Sequence, residues 1–313
     1  MDAAIPVTVV TGFLGAGKST LLERWLGELP REGTVVIINE QGQVGIDGDL
    51  LADRAARLRE ITGGCVCCQA QGELDAALAE FASATPRPTR ILVETSGAAS
   101  PAGVIRALTW GSARDRLRLD GVVTVLDASR AEAALAFDLT VEQLGFADVV
   151  VLSHADACET SALERLQADL GRYAPGAVVV RGHRGALEGD ETLLEVLAKR
   201  GEVLHPLPPE TTTHSHIDAV ALVHDGALDE ERFGDWVETS LGAVQARILR
   251  VKGILAIEGV DARVIVQGVG DAIEVSLGPP WGEAPRNSRM VVLGLQLDAD
   301  DLRAGFLACT RSP

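Results

Sequence analysis

Between an apolar run, Pro6–Thr11, and an amphipathic stretch, Lys18–Leu29, the chain reads Gly12-Phe13-Leu14-Gly15-Ala16-Gly17-Lys18-Ser19-Thr20. This is the pattern G-x-x-x-x-G-K-[ST], and its residue types suit one chemistry. Glycines let successive backbone N–H groups turn inward around phosphate oxygens, and the start of a helix adds a favourable dipole. Lys18 is expected to reach the β- and γ-phosphates of a nucleotide, and the Ser19 hydroxyl to ligate Mg²⁺. Gly12, Gly15, Ala16, Gly17 and Thr20 complete the phosphate cradle. A second apolar run, Ile91-Leu92-Val93, ends in Glu94 and the small turn Thr95-Ser96-Gly97. Ligands of an open parallel sheet gather beyond the carboxyl ends of its strands, so Glu94 and Gly97 are expected in the same crevice. Glu94 would hold Mg²⁺ through a water or orient the attacking water. Taken alone, Thr95 and Ser96 also suit a helix cap.

A different chemistry is written in Gly63-Gly64-Cys65-Val66-Cys67-Cys68. Three thiols this close form a soft site that favours zinc, cobalt(II) or copper(I) over magnesium or calcium. They leave a fourth position open, which suits capture and release; Glu40, a histidine, water or a partner protein could fill it. Packed, unreactive cysteines are the alternative. The glycine-rich polar segment from Asn39 to Asp47 suits a loop that orders around a γ-phosphate and relaxes after hydrolysis, or an ordinary turn. His214 and His216, spaced i, i+2, make either a two-histidine metal foothold or a solvated pair. His183, Cys158 and Cys309 have no ligand-like neighbours in sequence, and the two cysteines read as packing residues. Ser153-His154-Ala155-Asp156 closes a further apolar run, where GTPases often place Asn-Lys-x-Asp. Its Asp156 either pairs with guanine or caps a helix.

The elements that must position these residues are legible as periodicity. Short β-branched runs at Pro6–Thr11, Thr34–Asn39, Arg59–Ile61, Ile91–Glu94, Gly121–Leu126, Val149–Leu152 and Ala177–Val180 predict strands. Helical spacing at Lys18–Leu29, Gly72–Ala82, Ala131–Ala136, Ser161–Leu170 and Thr192–Lys199 alternates with them. That is the pattern of a mostly parallel sheet covered by helices on both faces, an α/β P-loop NTPase. Three prolines in His205-Pro206-Leu207-Pro208-Pro209 break it. The expected organisation is a P-loop domain over 1–204, a linker over 205–213 and a smaller α+β domain over 214–313. In the last, strands are expected at Ile217–Val223, Ile248–Ile257, Arg263–Val269, Ile273–Leu277 and Val291–Leu295. Helices are expected there at Glu230–Leu241 and Asp301–Leu307.

Composition narrows the function further. At 313 residues, 47% hydrophobic and 23% charged, the chain is an ordinary globular protein of about two domains. Its 28 basic and 45 acidic residues give a formal charge of −17, which argues against general affinity for nucleic acid or anionic membranes. No apolar stretch approaches about 18 residues, and the N-terminus lacks the pattern of a signal peptide. With its clustered thiols read as reduced, the protein is expected in the cytoplasm.

Taken in order, the P-loop, the Asn39-Glu40 loop, the Cys-x-Cys-Cys turn and the Glu94-x-Ser96-Gly97 strand end resemble the CobW-type GTPases. These are P-loop metallochaperones related to the nickel-insertion GTPases. The likeness extends to Val125-Leu126-Asp127-Ala128, to Leu249-Arg250-Val251-Lys252-Gly253 and to Val266-Gln267-Gly268-Val269. It implies that Gly12, Gly15, Gly17, Lys18, Ser19 and Thr20 bind nucleotide phosphates, that Glu94 is the Walker B acid, and that Cys65, Cys67 and Cys68 bind metal. By the same resemblance the position of His154 and Asp156 is that of base recognition, with GTP and Mg²⁺ as cofactors and zinc or cobalt as the metal. The implied cycle is metal capture in one nucleotide state and delivery to a client metalloprotein after hydrolysis. The alternative is a maturation factor that remodels its client without metal transfer. Ile38 and Gln43 stand where relatives often carry acids, and a His-rich tract is reduced to His214 and His216.

Overall fold

The computed structural model describes residues 3–40, 55, 57–62, 67–174, 176–198, 212–214, 217–244, 247–269, 272–294 and 296–310. The chain divides into two compact units, Met1–Arg200 and Gly201–Pro313, and each has its own hydrophobic core.

In the first unit the expected strands form: β1 (Ile5–Thr11), β2 (Thr34–Glu40), β3 (Arg57–Thr62), β4 (Arg90–Thr95), β5 (Leu117–Asp127), β6 (Val149–Ser153) and β7 (Val178–His183). A short β8 (Ala186–Leu187), not expected from sequence, turns back antiparallel on β7. The order is β3-β2-β4-β1-β5-β6-β7-β8, and the pairs up to β7 are parallel. From β1 the chain builds out to β2 and β3, returns with β4 beside β1, then extends the other edge through β5, β6 and β7. β1 is therefore central, and its carboxyl end opens between those of β4 and β5. Ligands collect at such points of a doubly wound sheet.

The strands read as continuous apolar runs because both faces are covered. On one face α1 (Lys18–Glu28) buries Leu21, Leu22, Trp25 and Leu26 against Val10, Leu92, Val123 and Val151, together with Val196 and Leu197 of a later helix, Leu193–Ala198. On the other, Leu144 of Asp138–Gly145 and Leu163 and Leu170 of Thr160–Leu170 pack on Leu126, Val150 and Leu152. In chain order the helices are α1, α2 (Cys67–Ala82), α3 (Ala102–Trp110), α4 (Ala131–Leu135), α5 (Asp138–Gly145), α6 (Thr160–Leu170) and α7 (Leu193–Ala198). Sequence periodicity did not predict α3 or α5.

The second unit is an antiparallel six-stranded sheet in the order β13-β12-β11-β14-β10-β9. Its strands are β9 (Thr212–His214), β10 (Ile217–His224), β11 (Ile248–Leu255), β12 (Ala262–Val269), β13 (Ala272–Pro280) and β14 (Ser288–Gly294). Val220, Leu222, Val251, Val266, Met290 and Val292 share a core with Phe233 and Trp236 of α8 (Glu230–Trp236) and Phe306 of α9 (Ala299–Ala308). Trp236 and Phe306 meet edge to face, with ring centroids 5.7 Å apart. Asp229 and Asp298 cap the two helices by accepting backbone N–H bonds from Arg232 and from Asp300 and Asp301. The single helix expected over Glu230–Leu241 is α-helical to Trp236 and then widens to a π turn over Val237–Leu241.

The expected linker lies within the second unit. Residues 205–211 fall outside the described residues, and Thr212 and Thr213 pair with Ala219 and Asp218 as part of β9. Among the described residues no helix is long and apolar enough to cross a membrane.

Candidate functional site

The phosphate loop joins β1 to α1 as the sequence predicts. Gly12, Gly15 and Gly17 all have positive φ, and left-handed Gly17 is the residue from which α1 starts. The loop is braced from three sides. Ser153, at the end of β6, donates from Oγ to the Ala16 carbonyl at 2.7 Å. Phe137 stacks on Phe13, ring centroids 4.8 Å apart. On the third side, Gly97 follows β4 so closely that a Cβ there would lie 2.7 Å from the Leu14 nitrogen and 2.9 Å from Lys18 Nζ. Only glycine lets the two segments approach this far.

The chemistry-bearing side chains converge inside that brace. Lys18 is 8% exposed and donates from Nζ to the Phe13 carbonyl at 3.2 Å, across the loop it belongs to. Ser19 Oγ donates to Glu94 Oε1 at 3.0 Å, and Glu94 is 5% exposed. The register that pairs Val10 with Glu94 puts this acid one residue before the end of β4, level with the exit of β1. Next to it Thr95 donates to Thr11 Oγ1 at 2.8 Å, tying the two strand ends together. Thr95 is thus a strand-end clasp rather than a helix cap, whereas Ser96 Oγ accepts from the Ala98 N–H at 3.3 Å. A serine whose hydrogen goes to a carboxylate keeps its lone pairs for a cation, so Ser19 and Glu94 form a hard oxygen set of the kind Mg²⁺ takes.

A second cluster lies at the ends of β5, β6 and β7. His154 is left-handed, with φ of 52°, and begins a 3₁₀ turn over Ala155–Ala157. Its Nδ1 is 3.5 Å from Asp127 Oδ1 and 3.2 Å from Ser153 Oγ. Asp156 does not cap the turn; its Oδ1 is 2.6 Å from His183 Nδ1, at the end of β7. The hydrogen bond from His183 holds the Asp156 carboxyl below the usual carboxylate range. Sequence reading gave His183 no partner and treated Ser153 only as a departure from a pattern. Both are correctable only in three dimensions, because each acts on a residue far from it in the chain.

The cysteine turn is less fully described. Cys65 and His216, with most of the Asn39–Asp47 loop, lie outside the described residues. Glu40 ends β2 and Cys67 and Cys68 open α2, while His214 ends β9. Backbone pairing sets Glu40 opposite Thr62, the last residue of the strand that leads to the cysteines. Among the described residues no group of three or more His, Cys, Asp or Glu side chains could hold a metal. Cys158 and Cys309 carry no disulfide, and Cys309 is buried in the second core, consistent with packing.

A glycine-braced phosphate loop after the central strand, with a buried acid of the neighbouring strand bonded to the loop serine, defines a P-loop nucleoside triphosphate hydrolase. The chain belongs to the CobW/HypB/UreG family of P-loop GTPases: the model of that family's nucleotide-binding domain matches residues 6–181. The cobalamin synthesis protein CobW C-terminal domain matches residues 217–310. The chain is 33% identical to the zinc chaperone CobW of Pseudomonas aeruginosa, covering 95% of this chain and 89% of that one. It is 31% identical to the zinc chaperone YjiA of Escherichia coli, over 96% and 98% of the two chains. The crystal structure of the Zn(II)-bound YjiA GTPase from E. coli superposes with a TM-score of 0.66 at 26% identity, covering 99% of this chain and 100% of that one.

Proposed function

We propose that this GTPase uses its nucleotide state to govern capture of a transition metal, zinc or cobalt, and handover of that metal to a client protein in the cytoplasm. The observation that carries the hydrolytic half is the buried Ser19–Glu94 pair beside Lys18. In this reading Lys18 and the loop N–H groups hold the β- and γ-phosphates, where charge builds during phosphoryl transfer. Ser19 and Glu94 would hold Mg²⁺, which would supply positive charge to offset the negative charge of the β- and γ-phosphates. Glu94 accepts from Ser19 and orients the water that attacks in line. At the other end Asp156 accepts from N1–H and N2–H of guanine, and the His154 ring takes the place of the lysine stem that usually packs on the base.

The metal is cargo rather than cofactor. Its proposed ligands are the thiolates of Cys65, Cys67 and Cys68 with Glu40, a set whose softness favours zinc. Support comes from relatives that bear the name zinc chaperone. The backbone pairing of Glu40 with Thr62, at the same carboxyl end of the sheet as Glu94, adds to it. In this reading the segments that follow Glu40 and Thr62 would respond to the γ-phosphate, so hydrolysis would change the metal ligands' spacing.

The test is an anaerobic competition titration of the reduced protein with Zn²⁺ and Co²⁺, in the presence of a non-hydrolysable GTP analogue, GDP or no nucleotide. Affinity is expected to differ between nucleotide states and to drop in Cys67→Ser, while that variant still binds GDP. Weak metal binding that ignores nucleotide would overturn the proposal and leave client remodelling without metal as the role of the GTPase.

A further inference from the structure

The contact between Asp156 and His183 has no evident role in folding. Both side chains are about half exposed, at 51% and 49%, and ion pairs in such positions add little to stability. Yet the pair is short, 2.6 Å between Nδ1 and Oδ1, and the position of His183 is fixed by the fold. Gly182 and His183 pair antiparallel with Leu187 and Ala186 of β8. The turn between, Arg184 and Gly185, is left-handed at both residues. That turn abuts the phosphate helix: a Cβ on Gly185 would lie 2.5 Å from the Thr20 carbonyl oxygen. His183 is therefore anchored, through one turn, to the first turn of α1.

We propose that His183 is the positioning residue for nucleobase selection: its Nδ1–H fixes the Asp156 carboxylate so that both oxygens face the guanine edge. This rests on the reading of Asp156 as the base acceptor. A carboxylate oxygen offers two lone pairs, so Oδ1 accepts from His183 and still has one for guanine, while Oδ2 serves the second base hydrogen. An aspartate at the surface otherwise rotates freely and loses the paired geometry on which discrimination depends. In the GTPase motif Asn-Lys-x-Asp the neighbouring lysine and asparagine help to order this region. Here Ser153 is committed to the phosphate loop and His154 leans towards Asp127, so the restraint on Asp156 comes from β7. Anchoring of that restraint on Thr20 sets the spacing between the base acceptor and the phosphate cradle.

The experiment compares GDP with IDP, which lacks the 2-amino group, by calorimetric titration of the full chain with Mg²⁺ at pH 7.5. The variants are Asp156→Ala, His183→Ala and His183→Asn, the last because its amide N–H can stand near the position of Nδ1–H. The wild type is expected to prefer GDP by about tenfold, the worth of one hydrogen bond to a charged acceptor. Asp156→Ala and His183→Ala are expected to bring the ratio towards one, and His183→Asn to restore it. If Asp156→Ala leaves the ratio unchanged, the base-site reading fails and the proposal with it. If Asp156→Ala removes the preference but His183→Ala keeps it, the base reading survives and the role of His183 is refuted. Equal weakening of GDP and IDP in both His183 variants would mark a structural residue and also overturn the proposal.

Discussion

At the residue scale, the site depends on close approaches that few substitutions tolerate. Gly97→Ala would drive a methyl group into the Leu14 backbone and Lys18 Nζ. It is expected to weaken GDP binding by about tenfold or more, whereas the melting temperature should move little, because the collision is confined to the loop. Lys18→Ala removes the loop's cation, and single-turnover GTP hydrolysis should fall by at least about 100-fold; wild-type turnover in that variant would refute the assigned role. In the second unit, burial pushes the Cys309 thiol up to about 11. Its folded-state value is raised, so its contribution to stability is present below the unfolded value near 9 and is lost as pH rises towards 11. Urea titrations at pH 8 and pH 10.5 should show the loss in the wild type and a smaller one in Cys309→Ala. Much of this scale was legible in sequence, because Lys18, Ser19 and the loop glycines form one contiguous pattern and Glu94 ends an apolar run. Ser153 on Ala16 and His183 on Asp156 were not, since a hydrogen bond between distant segments leaves no local spacing to read.

At the element scale, α1 is both the phosphate helix and a principal piece of the core. Leu22 lies fully buried on the stripe with Leu21, Trp25 and Leu26. Leu22→Ala is expected to cost about 2–5 kcal/mol through lost contacts and a cavity. Chemical denaturation followed by circular dichroism would measure it, and a cost under about 0.5 kcal/mol would mean that α1 is not held by this stripe. The strands were the most legible elements because a sheet covered on both faces demands unbroken β-branched runs, as in Val149-Val150-Val151-Leu152. Helices α3 and α5 escaped notice for physical reasons. α3, Ala102–Trp110, opens after Pro101 in the apolar run Ala102-Gly103-Val104-Ile105, and at nine residues it spans too few turns for its period to stand out. α5 is eight residues long, too short for its period to be distinctive. The π turn after Trp236 has no sequence signature either; Leu241 at its end is buried in the same core as Trp236.

At the scale of the whole molecule, two separate cores predict two unfolding events. In scanning calorimetry Mg-GDP at a hundred times its dissociation constant should stabilise only the event belonging to residues 1–200, by about 2.7 kcal/mol. A single transition, shifted as one, would show that the units unfold together. The molecule also has four tryptophans, and one lies on the phosphate helix itself. Trp25 is 2% exposed, and its indole Nε1 has no hydrogen-bond partner among the described residues. An indole shielded from water emits at short wavelength, and its light passes readily to an N-methylanthraniloyl group on a nearby nucleotide. The phosphate helix thus carries a native fluorescent donor, through which nucleotide arrival and departure can be timed on an unlabelled chain.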